Sequence, residues 1–272
     1  MSDPGAADIE RNDRDPTTMR SLLRRDGWPV VVAAAATLAV EGAAYLSARA
    51  AGVPTGEAVV ACTAVMVAWV ALAAPLLSAG GATHLGAVVR GLSVVDASAI
   101  ALVVIRFAAR PHLTFPAAAK IYCVLMALAL ASWAVVCCAR RPAQRYMLAV
   151  FVAAAFFVIL AGPFWIGSVL NASEPKTARI AAAVTVHANP FYSVAAALPD
   201  ETPFVWHLSD VMYGRTRIGE YTAAPEPKWY AAAAIYASLA GGATAVSLLR
   251  RFGPRDRRCA LRSGVPERPG GS

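Results

Sequence analysis

Polar and charged positions are confined to short intervals of this chain, and between Trp28 and Phe252 most of what lies between them falls into Ala/Val/Leu-rich runs. A helix rises about 1.5 Å per residue, so a run of about 20 apolar residues spans the roughly 30 Å hydrocarbon core of a bilayer. The pattern predicts an all-α, polytopic integral membrane bundle of six transmembrane helices. They fall at Trp28–Ala48, Val59–Ala79, Leu92–Ala108, Pro116–Cys138, Met147–Leu170 and Trp229–Leu249. The third is the weakest, with Asp96 inside it and Arg106 near its end. A seventh apolar stretch, Ile180–Leu198, is interrupted by His187, Asn189 and Pro190. It reads as a broken or re-entrant pair of short helices, a form tolerated at membrane depth only under protein or beside a water-filled cavity.

Arginine placement orients the runs. Arg11, Arg14, Arg20, Arg24 and Arg25 precede the first, and Arg250, Arg251, Arg255, Arg257, Arg258, Arg262 and Arg268 end or follow the last. Basic flanks favour the cytoplasm, so both termini are expected there, which needs an even number of crossings. The turn that holds Arg140, Arg141 and Arg145 is expected on the same side, and 16 of the 25 basic residues then lie inside. A rival arrangement drops Leu92–Ala108 and lets Ile180–Leu198 cross. It counts 18 inside but expels that arginine cluster. Clustered arginines in a short loop are the stronger signal, so the first arrangement is preferred.

Three regions follow: a cytoplasmic tail over 1–27, a transmembrane domain over 28–250 and a basic, disordered cytoplasmic tail over 251–272. Within the first, Met19, Leu22 and Leu23 alternate with arginines. That pattern fits either a short helix lying on the membrane surface or a plain basic flank. Within the second, 171–228 forms an external cap, and its Phe204, Trp206, Tyr213 and Tyr221, with Trp229 and Tyr230 where it runs into the last span, suit the headgroup level.

Composition agrees: 58% of residues are hydrophobic and 15% are charged, below the quarter or so of a soluble domain. The net charge of +8 sits at segment ends and in the tails. That distribution points to anionic lipid at the basic tails and not to nucleic acid. The first apolar run has no cleavable leader pattern ahead of it and is expected to act as its own insertion signal, in the plasma (inner) membrane. The five cysteines show neither CxxC pairs nor Cys/His spacing, so no metal site and no disulfide framework is expected.

Ionisable groups inside spans are costly and mark candidate sites. Glu41 either faces a solute or proton path or is a carboxyl bonded to a neighbouring helix. Asp96, near the inner end of its span, either has a function, sits at the interface, or pairs with Arg90. His187, His207 and Asp210 have no metal-binding spacing, and Asn189-Pro190 is a helix-start signal. No GxSxG, Walker or GxGxxG signature is present, so neither catalysis nor a cofactor is expected. Gly42-Ala43-Ala44 and Gly241-Gly242-Ala243 suggest close helix approach.

The layout resembles the membrane subunit of ABC-type export permeases of the second integral class. The shared features are a basic surface helix before the first span, around Met19–Arg25, six spans with both ends inside, and a broken external element. That element often opens with Asn-Pro, as Asn189-Pro190-Phe191 does here, with His187 just before it. The resemblance implies transport of a hydrophobic or lipid-like solute by a homo- or heterodimer of permease chains with a separate ATPase subunit. One departure is that GGATHLGAVVRGLS, after the second span, lacks the acidic stretch by which the family engages its ATPase. The alternative is a non-catalytic membrane scaffold or assembly subunit.

Overall fold

The computed structural model describes residues 16–81, 83–110, 112–198 and 228–252. Six long helices, α1 (Pro16–Ala50), α2 (Thr55–Ala79), α3 (His84–Ala108), α4 (Phe115–Val136), α5 (Pro142–Leu160) and α9 (Trp229–Phe252), each contain a stretch long and apolar enough to span a bilayer. Among the described residues between α5 and α9 lie three short helices: α6 (Gly162–Ala172), α7 (Pro175–Ala188) and α8 (Pro190–Ala195). The rival arrangement fails, because Ile180–Leu198 is not one helix. Asn189 breaks it, and α8 is only 6 residues, about 9 Å.

Boundaries shift in three places. The third span starts eight residues earlier than predicted, at His84, where the Thr83 side chain accepts from the Gly86 N–H and caps the helix. The fifth starts at Pro142 and stops at Leu160, ten residues early. Pro163 has no N–H to continue the ladder there. The segment from Pro16 onward is continuous with the first span as one 35-residue helix, rather than a separate surface helix. The expected disorder and lipid contact of the tail beyond Phe252, and the cap residues Phe204, Trp206, His207, Asp210, Tyr213 and Tyr221, lie outside the described residues.

Residue pairs across the bundle give the helix directions. Thr37 meets Trp69 and Glu41 meets Cys62, so α1 and α2 are antiparallel. Lys120 lies over the Trp229 ring and Cys138 bonds the Ala243 carbonyl, so α4 and α9 run parallel. With six alternating crossings, the start of α1 and the end of α9 reach one face, here termed the tail side. Arg90, Arg140, Arg141 and Arg145 gather on it, while α6–α8 lie on the far face.

At the centre are α2 and α4, whose buried positions are mainly Ala and Val with Met66, Leu125 and Leu128. Lipid gives helices no hydrophobic incentive to associate, so close van der Waals contact between small side chains carries the packing. Two glycines leave no room for a Cβ, Gly81 and Gly91. A Cβ on Gly81 would stand 2.4 Å from the Ala87 nitrogen, and one on Gly91 would stand 2.5 Å from Ser78 Oγ. At Gly42, Gly241 and Gly242 a Cβ would meet no atom of the described residues within 4 Å. On the far face, Arg106 and Arg110 stack over Phe115 and Phe107, as Lys120 does over Trp229. Of the residues expected at the headgroup level, Trp229 and half-exposed Tyr230 are described, and both lie at the start of α9.

Candidate functional site: a buried carboxyl seam and a broken-helix clamp

On α1, Ala33, Thr37, Glu41 and Tyr45 are buried, each four residues from the next. An i+4 spacing forms one ridge along a helix, so α1 meets the bundle through this single row. Two of its four members are polar. Trp69 Nε1 on α2 donates to Thr37 Oγ1 at 2.9 Å, and that hydroxyl donates to the Ala33 carbonyl at 2.8 Å. The Cys62 thiol, also on α2, donates to the Glu41 carbonyl at 3.4 Å. Ser98 Oγ on α3 donates to Glu41 Oε1 at 2.5 Å. Glu41 is fully buried, and its Oε2 has no hydrogen-bond partner among the described residues. The carboxyl therefore faces neither lipid nor an open path. It sits where α1, α2 and α3 converge.

Asp96 has moved relative to its predicted place. With α3 running from His84 to Ala108, it is the helix midpoint, not a residue near the inner end. It is exposed, and Oδ1 accepts from Tyr122 Oη on α4 at 3.2 Å. The predicted partner Arg90 lies six residues back, about 9 Å along the axis on another face, where Nη1 donates to the Gly80 carbonyl at 2.8 Å. Two residues apart on α3, Ser98 points into the bundle and Asp96 points outward.

The far-face break is built around Asn189, which is fully buried. Its Oδ1 accepts from the Phe191 N–H at 3.0 Å and caps α8, with Pro190 in the first helical position where its missing N–H costs nothing. Its Nδ2 donates to the carbonyls of Ile159 at 3.0 Å and Leu160 at 3.2 Å, in the last turn of α5. The usual donor to the Ile159 carbonyl is the N–H of residue 163, and that residue is proline. One amide thus closes the end of α5 and the start of α8 together.

Two further side chains complete the clamp. Ser193 Oγ donates to the Lys228 carbonyl at 3.2 Å and accepts from the Ala232 N–H at 3.3 Å, inserting a hydroxyl into the first turn of α9. Tyr236 Oη on α9 donates to the carbonyl of Ala188, the last residue of α7, at 2.8 Å. The Tyr236 ring stands edge-on to Phe156 of α5, 5.6 Å between centroids. Of the sequence candidates, Asn189 and Pro190 are at the centre of the clamp, and Phe191 supplies the capped N–H. His187 is partly buried near the end of α7, its Nδ1 without a hydrogen-bond partner among the described residues. Glu41 and Asp96 belong to the bundle and are not brought to this clamp.

Sequence reasoning missed Ser98, Ser193 and Tyr236, none of which carries a local signal. The row through Thr37 and Glu41 was detectable as two polar residues at i and i+4 in an apolar run. No group of three or more His, Cys, Asp or Glu able to hold a metal exists among the described residues. The chain matches no protein-family model, no curated protein and no solved structure.

Proposed function

We propose that this chain is the membrane-spanning subunit of an ATP-driven permease, working as a dimer with a separately encoded ATPase on a hydrophobic or lipid-like solute. The supporting observation is the far-face break. A buried Asn-Pro corner seats α8 against the far-face parts of α9, α2 and α4, and Asn189 ties it to the last turn of α5 through side-chain bonds to backbone carbonyls. Such a joint ties two spans at one face only, so tilting α5 against α9 from the tail side would open or close it. The bundle axis is filled by Val59, Met66, Val67, Leu125 and Leu128. A solute path therefore belongs between two copies of the chain. In this reading the tail side faces the cytoplasm, and the protein resides in the plasma (inner) membrane.

The tail-side turn between α2 and α3 is only Gly80–Thr83 and has no carboxylate. ATPase contact would thus fall to the arginine-bearing α4–α5 turn or to the tails.

A second reading, a non-catalytic scaffold or assembly subunit, is favoured by Asp96. A carboxyl at mid-span on an outward face is costly in lipid, by about 2.5–3.5 kcal/mol on insertion scales, and such groups normally meet protein. A partner chain covering α3 and α4 would remove that cost. Tagged protein purified from its native membrane separates the two readings. Stoichiometric recovery of an ATPase whose hydrolysis responds to the Asn189→Ala substitution supports the permease. Recovery of a complex with no ATPase, lost on Asp96→Leu, supports the scaffold.

A further inference from the structure

The α4–α5 turn, one of the places left above for ATPase contact, also borders a cleft. Cys138, Ala139, Arg140, Arg141, Gln144, Met147, Leu148 and Phe151 line a cleft of about 1090 Å³ on the tail side. We propose that this cleft binds one anionic phospholipid of the tail-side leaflet, with its headgroup phosphate at Arg140 and Arg141 and an acyl chain against Met147 and Phe151.

Depth and charge carry the inference. α5 enters the bilayer at Pro142, so Arg140 and Arg141 stand at headgroup level, and Gln144 is less than a turn inside. Phe151 is ten residues beyond Arg141, about 15 Å along the axis, which is half the hydrocarbon thickness. The cleft wall thus passes from cationic to amide to apolar over the depth of one leaflet. Arg140, Arg141, Gln144, Met147 and Phe151 are exposed.

Arg145 and Cys138 help to hold the turn in shape. Arg145 donates from Nε to the Ala139 carbonyl at 3.1 Å and from Nη1 to the Gly81 carbonyl at 3.4 Å. The Cys138 thiol lies 3.3 Å from the Ala134 carbonyl and 3.5 Å from the Ala243 carbonyl of α9. Among the described residues, no acidic side chain lines the cleft. A second copy seated on it across a two-fold axis would bring like-charged arginine pairs together, and a small soluble anion would leave the Met147 and Phe151 wall uncovered. A phospholipid with net negative charge satisfies both ends, and basic pockets at the cytoplasmic ends of spans suit such headgroups.

The test uses the full chain in mild detergent, with native mass spectrometry counting retained lipid. Dioleoylphosphatidylglycerol is compared with dioleoylphosphatidylcholine, which has the same chains, and with inorganic phosphate. Retention of the anionic lipid is expected to exceed that of the zwitterionic one, and Arg140→Ala with Arg141→Ala should reduce it by roughly thirtyfold. Arg140→Lys with Arg141→Lys should keep most of the preference, and so should replacement of Arg255, Arg257 and Arg258 by Ala in the tail. If the alanine pair does not purify as folded protein, Arg140→Gln with Arg141→Gln is read in its place. The proposal is overturned by any of four results: equal retention of the two lipids, a preference that survives neutralisation of the arginine pair, a preference lost with the tail arginines, or phosphate displacing the lipid at equal concentration.

Discussion

The Asn189 side chain donates to the carbonyl of Ile159 at 3.0 Å, across 30 residues of sequence. That bond exists because Pro163 cannot supply the donor that would otherwise close the last turn of α5. A helix end left open in an apolar setting has few ways to satisfy its carbonyls, since lipid offers no donors. Here the residue that ends one helix and the residue that begins another are served by one amide.

Substitutions at Asn189 should separate its two tasks. Asn189→Asp retains the acceptor for the Phe191 N–H but loses the donors to Ile159 and Leu160. Asn189→Ala loses both. Leaving buried groups unpaired costs about 1–3 kcal/mol, so both variants should unfold at lower temperature in detergent. Asn189→Ala should also speed hydrogen exchange over 190–198 more than Asn189→Asp does. Equal exchange in the two variants would rule out the capping role.

Ser193 and Tyr236 should differ despite their similar appearance. Removing the Ser193 hydroxyl leaves the Ala232 N–H and the Lys228 carbonyl at helical i, i+4 spacing, free to bond each other, so Ser193→Ala should be nearly neutral. Tyr236→Phe leaves the buried carbonyl that ends α7 without this donor while keeping the ring on Phe156. It should cost about 0.5–1.5 kcal/mol in equilibrium unfolding. The reverse order of the two effects would contradict the geometry.

Glu41 and Ser98 should be energetically coupled. In a double-mutant cycle of Glu41→Gln and Ser98→Ala, a coupling of about 0.6 kcal/mol or more, the typical value for hydrogen bonds between membrane helices, is expected. Zero coupling would mean that the contact holds nothing. Because Glu41 reaches no open path, Glu41→Gln is expected to leave ATPase stimulation or complex assembly unchanged.

The two close glycines should respond differently to a methyl group. At Gly81 the obstruction is the Ala87 backbone, which cannot step aside, so Gly81→Ala should destabilise by at least the 1–3 kcal/mol of ordinary overpacking. At Gly91 the obstruction is one hydroxyl, Ser78 Oγ, which has no hydrogen-bond partner among the described residues. Gly91→Ala combined with Ser78→Ala should therefore be close to wild type in thermal unfolding, and no second change at Ala87 should rescue Gly81→Ala.

The six crossings were legible because length and hydropathy alone decide whether a helix can span lipid, and Asn189-Pro190 was legible because its capping chemistry is local. Asp96 made α3 look weak, but an outward carboxyl bonded to Tyr122 does not break a helix; it raises the cost of its surroundings. The end of α5 was misplaced because apolar residues continue to Leu170 and hydropathy does not register a missing N–H. Ser98, Ser193 and Tyr236 lie 57, 35 and 48 residues from the groups they bond, Glu41, Lys228 and Ala188, and no local pattern encodes such distances. The glycines gave no local cue either: what a Cβ would meet depends on what stands opposite, which is Ala87 for Gly81 and no described atom within 4 Å for Gly241, although Ala243 in the same patch does meet Cys138 of α4.

Transport through the far-face clamp and lipid contact at the arginine turn both require these elements on opposite sides of the membrane, with the clamp outside. In a cysteine-free background, single cysteines at Ser173, between α6 and α7, and at Arg141 report this directly. A membrane-impermeant maleimide should label Ser173→Cys in intact cells and reach Arg141→Cys only after permeabilisation. Labelling of Arg141→Cys from outside, with Ser173→Cys protected, would contradict the assignment of sides and with it the permease reading.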